Sequence, residues 1–288
     1  MRAARLGFWT ITAGLAGTFV HAAVFREPGP ITLGAACLGW STLATSGVFF
    51  PWLQMFGTVQ SRGPGGGARV ALTFDDGPHP VTTRRVLELL AGTRHRATFF
   101  VLGDKARRHP DVIAEIVAQG HGLGVHGDFH DRLHAFRWPA RVEAEIQSAQ
   151  DAVEAASGVR PRWFRPPLGH TSPNTVRGAR RAEVALIGWS ARGYDGLRGR
   201  SAASVAARVA RDLEDGSIVL LHDAAEHDDF EPAAIGALPL LFDSLDAKGL
   251  TSVALDGWLA PASHSESEEN STKSALSSRA FRLSRKRG

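Results

Sequence analysis

The pattern of apolar and polar positions separates an apolar N-terminal part from a region in which two periodicities alternate. Two N-terminal runs lack Lys, Arg, Asp and Glu, namely Leu6 to Phe25 and Ile31 to Phe56. Each run reaches about the 20 residues that a helix needs to cross a bilayer. Aromatic residues such as Trp9 and Trp52 near their ends are typical of a membrane interface. We therefore predict a membrane anchor over residues 1–58, with helices at about 6–25 and 31–56.

Two other interpretations of this N-terminal part are open. Residues 6–25 alone would fit a signal peptide, although no convincing small-residue cleavage site precedes the second run. A buried hairpin of a soluble protein would need a polar face on its helices, and both runs lack one. Two membrane helices joined by a tight turn explain the pattern best.

A Gly-rich segment, residues 59–68, follows the anchor and is expected to be a flexible linker and a domain boundary. Beyond it, short apolar runs typical of buried parallel strands alternate with runs of helical period. The predicted strands are 69–74, 96–102, 121–126, 162–166, 184–190, 216–222 and 250–254. The predicted helices are 80–91, 109–119, 139–157, 173–182, 201–214 and 232–248.

About seven strand–helix units predict an α/β fold with a parallel sheet, and their number favours a distorted (β/α)7-type barrel over residues 69–260. An open doubly wound sheet is the alternative. The remaining residues, 261–288, are Ser-rich and polar with a basic end, and they are expected to form a disordered tail.

Composition and charge narrow the classes of function. The chain has 288 residues, of which 43% are hydrophobic, and a formal net charge of +4. The tail holds six Lys and Arg residues against three Glu residues, so +3 of that charge lies outside the predicted barrel. No interleaved basic and aromatic motif is present, so we expect no nucleic-acid partner. Cys37 is the single cysteine, which excludes an internal disulfide.

Paired carboxylates end the first predicted strand of the barrel. Asp75 and Asp76 directly follow an apolar run, and Gly77-Pro78 breaks the strand after them. An ordinary acidic turn has the same composition. However, α/β folds keep their sites at this end of their strands, and two adjacent carboxylates ionise easily only beside a cation. We interpret the pair as one metal ligand and one free base.

Further polar residues follow other strands, and the carboxyl ends of parallel strands meet on one face of a barrel. His126 and His130 would reach one metal if a helical turn begins there, and with Asp76 they make a set of two histidines and one carboxylate. This set suits Zn²⁺, with Co²⁺ or Mn²⁺ as other possibilities. Two surface histidines would show the same spacing.

Three residues complete the predicted site. Arg165 would hold Asp75 ionised as the general base, and Asp195 would keep His222 cationic as the general acid. A structural ion pair, a turn and a core histidine are the ordinary interpretations of Arg165, Asp195 and His222 taken singly. Together they permit metal-assisted hydrolysis, with a backbone amide after Pro167 helping to bind the oxyanion.

These residues form motifs in a fixed order, and residues 69–254 resemble the NodB-homology polysaccharide deacetylases of carbohydrate esterase family 4. The five motifs are Thr73-Phe74-Asp75-Asp76-Gly77, His126-x-x-x-His130, Arg165-Pro166-Pro167, Asp195 and Leu220-Leu221-His222. The resemblance implies a distorted barrel and N-deacetylation of an N-acetylated sugar. It also implies a divalent metal on Asp76, His126 and His130. Pro167, Leu168 and Leu220 are the expected substrate-binding residues.

The sequence departs from the family pattern at three positions. Gly127 replaces the usual Ser or Thr, Leu168 replaces an aromatic residue, and Gly196 replaces a Trp. We expect the first to cost a local hydrogen bond. The second still offers its backbone amide to the oxyanion. The third should open the wall of the site, which suggests a substrate unlike an ordinary chitin oligomer.

The sequence therefore predicts a metal-dependent hydrolase that removes N-acetyl or other N-acyl groups from an amino sugar of a polysaccharide or glycolipid. A deformylase or deacylase of a lipid-linked amino sugar is the alternative. An inactive, membrane-tethered carbohydrate-binding protein is disfavoured, because no catalytic residue has been lost. Arg2 and Arg5 before the first run, with Arg62 and Arg69 after the second, favour a catalytic domain on the cytoplasmic side.

Overall fold

The computed structural model describes residues 3–25 and 29–259 of the chain. The tail predicted for residues 261–288 lies outside the described residues. The described chain begins with two long helices, continues through a segment without long helices or strands, and then forms a sheet surrounded by shorter helices.

The two apolar runs form helices α1 (Ala3–Phe25) and α2 (Pro30–Phe49). Both are long and apolar enough to cross a membrane by length and composition, although a signal sequence would pass the same test for α1. The second helix ends seven residues earlier than predicted. The residue before a proline is disfavoured in the helical conformation, and Phe50 precedes Pro51. A short 3₁₀ turn, Pro51–Leu53, follows.

The end of α2 contacts the rest of the chain. Phe8 of α1 packs on Trp40 of α2 and on Phe56 beyond it, with ring centroids 5.9 and 5.2 Å away. The carbonyl of Val48 accepts a hydrogen bond of 3.1 Å from the backbone N–H of Thr171. The apolar pair of helices is therefore attached directly to the domain that follows.

Eight strands form one sheet in which every ladder is parallel. Its order is β5-β4-β3-β2-β1-β7-β6, with β8 paired to the beginning of β1. The sheet curls into a distorted barrel that no ladder closes between β5 and β6 in the described part of the chain. The strands are β1 (Arg69–Asp75), β2 (Ala97–Val101), β3 (Gly122–Val125), β4 (Trp163–Phe164), β5 (Ala185–Leu186), β6 (Ala191–Arg192), β7 (Ile218–His222) and β8 (Thr251–Ser252).

Helices follow most strands, as the alternating pattern predicted. They are α3 (Thr82–Ala91), α4 (Gly103–Arg108), α5 (Pro110–Ala118), α6 (Pro139–Ser157), α7 (Pro173–Arg181), α8 (Ala202–Asp212) and α9 (Ala234–Ala247). Helix α4 was not predicted. The run predicted as one strand over 184–190 is instead β5 alone, and β6 is a further strand after Gly188 and Trp189.

The alternation of side chains along β1 separates the two faces of the sheet. Val70, Leu72 and Phe74 belong to the large apolar core between the sheet and the helices. Ala71 packs in a smaller apolar cluster with Phe100. Because side chains alternate along a strand, Thr73 and Asp75 lie on the same face as Ala71. Burial of the core face therefore fixes which side the functional carboxylate occupies.

The Gly-rich segment is bonded to the barrel. Gln60 forms a parallel bridge with Ile187 after β5, and Arg62 forms an antiparallel bridge with Ser217 before β7. The side chain of Asp215 also accepts a hydrogen bond from the backbone of Arg69. Within the segment expected to be a flexible linker, residues 59–68, Gln60 and Arg62 therefore bond next to strand ends.

Candidate active site

The register of the sheet brings the predicted site residues to one edge. Asp75 ends β1 directly opposite His222 of β7. On the other side of β1, the last pairs of β3 and β4 join Val125 to Phe164, so the next residues, His126 and Arg165, project from neighbouring strand ends. The carboxyl ends of the strands therefore converge, as the sequence predicted.

Asp76, His126 and His130 form a cluster that can hold a metal ion, with all three potential ligand atoms within 4.8 Å of one another. Asp76 Oδ1 lies 3.6 Å from His126 Nε2 and 3.8 Å from His130 Nε2. This buried oxygen has no hydrogen-bond partner among the described residues. An unpaired buried carboxylate oxygen facing two imidazole nitrogens fits a divalent cation.

A contact with a backbone carbonyl orients the ring of His126. His126 Nδ1 lies 2.7 Å from the backbone carbonyl of Arg165, which leaves Nε2 to face the cluster. Burial lowers the pKa of His126 despite the nearby carboxylates of Asp75 and Asp76. Its neutral form, which is the metal-binding form, is therefore favoured.

His130 was expected on a helical turn begun at His126, and this expectation is wrong. Residues 126–131 form bends and irregular structure, so the loop between β3 and α6 carries both histidines. Gly127 has a φ of 97°, which a side chain rarely tolerates. The loop can therefore reverse immediately after the first ligand, and the four-residue spacing does not depend on a helix.

Asp75 and Arg165 form a fully buried ion pair. Arg165 Nη1 donates to Asp75 Oδ1 at 2.6 Å and to Thr73 Oγ1 at 2.8 Å, while Nη2 donates to the carbonyl of Gly188 at 3.0 Å. The guanidinium carbon lies 4.2 Å from the centroid of the Phe100 ring. One carboxylate oxygen is thus occupied, and Asp75 Oδ2 faces the metal-binding cluster at 3.9 Å from His126 Nε2.

Asp195 and His222 form a second pair. Asp195 Oδ2 accepts a hydrogen bond of 2.7 Å from the backbone N–H of His222 and lies 3.3 Å from its Nδ1. Burial alone would lower the pKa of His222. The Asp195 carboxylate, with smaller contributions from Asp76 and Asp75, outweighs burial and raises that pKa to about 10. The imidazole is therefore cationic at neutral pH, with Nε2 free to donate a proton.

The metal-binding cluster, Asp75, Asp195 and His222 line a cleft of about 410 Å³. Of the three residues expected to bind substrate, Leu168 and Leu220 line this cleft, whereas Pro167 is buried and is not one of its lining residues. The reason is the 3₁₀ turn Pro167–Gly169, in which Leu168 has a φ of 57° and turns outward. The backbone N–H of Leu168 makes no hydrogen bond with the described residues, so it remains free to bind an oxyanion.

The sequence did not reveal every residue around the site. Glu226 Oε1 lies 3.2 Å from His130 Nδ1, although the two groups are not aligned for a hydrogen bond. The sequence signal that could have indicated Glu226 was its position, four residues beyond His222 on the loop after a functional strand end. Glu226 also accepts a hydrogen bond from Arg132, which holds its carboxylate beside His130.

Asp223 lies beneath the turn that carries the paired carboxylates. It is fully buried and accepts a hydrogen bond from Thr83 Oγ1, which itself accepts one from the backbone N–H of His79. Burial raises the pKa of Asp223 to about 7, although the Thr83 hydrogen bond opposes the shift. A Cβ at Gly77 would approach Asp223 Oδ2 to 2.1 Å, so glycine is required there.

Gly196 does not simply leave a gap beside His222. A Cβ at Gly196 would lie 3.1 Å from two atoms of the His222 ring, so the glycine backbone itself covers part of that ring. The neighbouring wall is formed by Tyr194, Leu197 and Phe230, which all line the cleft.

Comparison with known proteins agrees with this arrangement. A family model described as polysaccharide deacetylase matches residues 62–187. A chitooligosaccharide deacetylase of Sinorhizobium fredii is 36% identical over 205 residues, which cover 68% of this chain and 94% of that protein. The chain belongs to the polysaccharide deacetylase family. It is accordingly a hydrolase of the N-deacetylase type.

Two further proteins are similar to this chain over smaller parts of its length. The peptidoglycan-N-acetylmuramic acid deacetylase PdaC of Bacillus subtilis is 34% identical over 154 residues, which span 54% of this chain and only 32% of that longer protein. A family 4 acetyl xylan esterase from Clostridium thermocellum, solved in complex with a cobalt ion, superposes with a TM-score of 0.61 and 30% identity. The superposition covers 66% of this chain and 89% of the esterase.

Proposed function

We propose that this protein removes N-acyl groups, most simply acetyl, from an amino sugar of a glycan or glycolipid in a metal-dependent hydrolysis. One observation carries the proposal. A candidate metal cluster lies at the same edge of the sheet as a carboxylate held by a buried arginine and an imidazole held cationic by a buried aspartate. These are the base and the acid that amide hydrolysis needs.

Asp76, His126 and His130 would hold the metal. Two imidazoles and one carboxylate suit Zn²⁺ and leave positions open, while Co²⁺ and Mn²⁺ accept the same donors. The cobalt ion in the related acetyl xylan esterase supports a divalent metal in this family. Together these three residues would supply a site for Lewis-acid chemistry, in which the pKa of a water is lowered and a carbonyl is polarised.

The remaining steps belong to the residues of the chain. Asp75 Oδ2 accepts a proton from the attacking water, while Arg165 donates a hydrogen bond to the other oxygen and orients the carboxylate. The N–H of Leu168 donates a hydrogen bond to the developing oxyanion. His222 then gives the proton on Nε2 to the sugar nitrogen, so that the carbon–nitrogen bond breaks into a carboxylate and a free amine.

The test measures metal content and acetate release from an N-acetylated chito-oligosaccharide, using the full chain in detergent. We expect the wild type to bind one divalent ion and release acetate. His126→Ala and His130→Ala should lose both while remaining folded, and Asp76→Ala should do the same because a ligand and its charge disappear. Stoichiometric metal in the double histidine variant would contradict the assignment of the ligands. A metal-free wild type that binds the sugar without turnover would instead indicate a carbohydrate-binding protein.

We propose that α1 and α2 anchor the protein in a membrane, with the barrel on the cytoplasmic side. Two crossings return the chain to the side on which it began. Arg2 and Arg5 precede the first apolar run and Arg62 and Arg69 follow the second, whereas Arg26 and Glu27, between the two runs, have opposite charges. Positively charged residues beside membrane helices favour the cytoplasmic side. A lipid-linked N-acylated sugar would then be a more accessible substrate than a finished wall polymer.

Fusions after Gly67 test this orientation. A phosphatase that is active only outside the cell should stay silent, and a fluorescent protein that is active only inside should be bright. The reverse pattern would place the barrel outside and favour a wall polysaccharide as the substrate.

A further inference from the structure

A second cleft lies directly beside the catalytic one. Its volume is about 620 Å³, and Trp189, Arg192 and Tyr194 line both clefts. One wall of the second cleft comes from residues 52–62, which follow α2, and the opposite wall comes from β6 and α8. A ligand that fills the catalytic cleft can therefore extend into the second one without leaving the protein surface.

The second cleft is basic. Four arginines line it against one acidic residue, Asp212. The charge of Arg211 is offset by Asp212, and Arg62, also of the cleft, pairs with Glu214. Arg192 and Arg208 form no ion pair with any carboxylate in the described part of the chain. Among the described residues, the cleft therefore presents two guanidinium groups with no carboxylate within ion-pair distance.

Tyr194 holds these two guanidinium groups together. The Arg192 guanidinium carbon lies 4.2 Å from the centroid of the Tyr194 ring, and that of Arg208 lies 5.3 Å away. Arg192 Nη2 also donates a hydrogen bond of 2.6 Å to the Tyr194 hydroxyl. Like charges repel, so holding two guanidinium groups around one ring is favourable when an anion bridges them. Arginine forks match phosphate oxygens closely.

We propose that this cleft binds the diphosphate of a diphosphate-linked N-acylated amino sugar while the sugar occupies the catalytic cleft. This inference rests on the proposed N-deacylase activity and names its substrate class. In a 2-amino sugar the anomeric carbon is bonded to the carbon that carries the acylated nitrogen. A diphosphate on the anomeric oxygen must therefore lie close to the reacting amide, and Arg192, which lines both clefts, is placed at that junction.

Two carriers supply this chemistry, a polyprenyl lipid and a nucleotide. The structure favours the lipid, because the segment that leaves α2 forms one wall of the cleft. Trp52 of that segment is 62% exposed and lines the cleft. A lipid chain leaving the diphosphate would meet this exposed ring and the apolar helix before it.

The first experiment compares three substrates of the full chain in detergent with Zn²⁺ added. They are a neutral N-acetylated chito-oligosaccharide, uridine-diphosphate N-acetylglucosamine and farnesyl-diphosphate N-acetylglucosamine. Hydrogen bonds to charged groups predict a kcat/KM for the diphosphate-linked sugars about 10- to 100-fold above the neutral one. A preference for the farnesyl compound indicates a lipid carrier, and a preference for the uridine compound indicates a nucleotide. Equal kcat/KM for all three overturns the proposal.

A variant assigns the preference to the cleft. Arg208→Gln should lower the ratio of diphosphate-linked to neutral kcat/KM by about 10-fold, since it removes one charged hydrogen-bonding group. Arg94→Gln is the matched control, because Arg94 pairs with Asp246 on an exposed surface and lines neither cleft. Identical ratios in the two variants would contradict the assignment.

A binding measurement separates this proposal from the proposed activity. Calorimetry on chelator-treated protein measures the affinity for each diphosphate-linked sugar, so that phosphate cannot bind through a metal ion. Weaker binding by Arg208→Gln than by Arg94→Gln supports the diphosphate site even if no sugar is turned over. Equal binding overturns the site even if the neutral oligosaccharide is deacetylated.

Discussion

The two charged pairs of the active site, Asp75–Arg165 and Asp195–His222, each join an aspartate to a basic side chain. They differ in how far that basic side chain is exposed. In the first pair both side chains are almost completely buried, with Arg165 0% and Asp75 3% exposed. In the second, Asp195 is 1% exposed while the imidazole of His222 is 22% exposed. The first pair is also closer, at 2.6 Å compared with 3.3 Å.

This difference matches what each pair has to do. A base next to a metal must keep one oxygen directed at the attacking water, and a buried guanidinium that binds the other oxygen fixes this orientation. An acid must transfer its proton to a substrate, so its ring must reach the cleft while its partner stays buried. In each pair the partner that does not react, Arg165 or Asp195, is buried. The pairs differ in the exposure of the reacting group, because Asp75 is buried whereas the ring of His222 is partly exposed. The following predictions test this division.

The largest effect should come from Asp75→Asn. The amide cannot accept the proton of the attacking water, so kcat should fall by roughly 10²–10⁴-fold. Metal content measured by atomic absorption should remain at the wild-type level. If the metal is lost instead, Asp75 rather than Asp76 is the ligand, and the roles of the two aspartates are reversed.

Arg165→Met should destabilise the fold. It leaves Asp75 as a buried charge without a partner, which typically costs about 3–5 kcal/mol. Urea unfolding followed by tryptophan fluorescence measures this change. The double variant Arg165→Met/Asp75→Asn is the control and should recover part of the loss, because neither charge remains. A double variant less stable than Arg165→Met alone would argue against the ion pair as the cause.

Glu226→Gln should weaken metal binding by about 10- to 100-fold, the usual effect of removing a carboxylate that supports a histidine ligand. Competition with a chelating dye measures the affinity. Glu231→Gln is the matched control, because Glu231 lies on the same loop and pairs with Arg85 away from the cluster. Equal affinities in the two variants would leave Glu226 without a role at the metal.

Asp195→Asn should change the pH profile more than the rate at pH 6. It removes the main influence that raises the pKa of His222 to about 10, while burial continues to lower it. The alkaline limb of kcat should therefore move to lower pH. Profiles measured from pH 5 to about 10.5 would show this shift, and an unchanged alkaline limb would exclude His222 as the group that titrates there.

The Asp195–His222 pair should stabilise the folded protein only over a defined range of pH. The folded-state pKa of His222 is raised, so its stabilising contribution is complete below the unfolded value of 6.5 and is lost as the pH rises through about 10. The difference in unfolding free energy between wild type and Asp195→Asn should therefore shrink over that interval.

The sequence predicted that these residues lie close together, because parallel strands place their carboxyl ends at one edge. Knowing that His126, Arg165 and His222 follow apolar runs was enough to bring them together. The same reasoning could not find Glu226, because its contact with His130 depends on the path of the loop after β7. The helical turn expected at His126 failed for a related reason, since a four-residue spacing fits a tight loop equally well.

Local composition explains the errors in the fold. Helix α4 has the sequence Gly-Asp-Lys-Ala-Arg-Arg, which contains no apolar period to detect. The strand predicted over 184–190 extends past the end of β5 because apolar residues continue through Ile187 and Trp189, and it ends before β6 begins. The segment at Gln60 and Arg62 has the glycine content of a linker. Its bonds to strand ends could not be inferred from composition.

If α1 and α2 span a bilayer, the attachment of residues 60–62 to the barrel would fix the distance between the active site and the membrane surface. Val48 at the end of α2 is bonded to Thr171, and Gln60 is bonded beside β5, so only about a dozen residues separate two fixed points. In a bilayer, such a short connection would keep the mouth of the cleft at one distance and tilt from the lipid headgroups. An enzyme held in this way cannot sweep a volume in search of distant chains. It would act on molecules that diffuse in the plane of that bilayer, so the surface density of substrate, rather than its bulk concentration, would govern its rate.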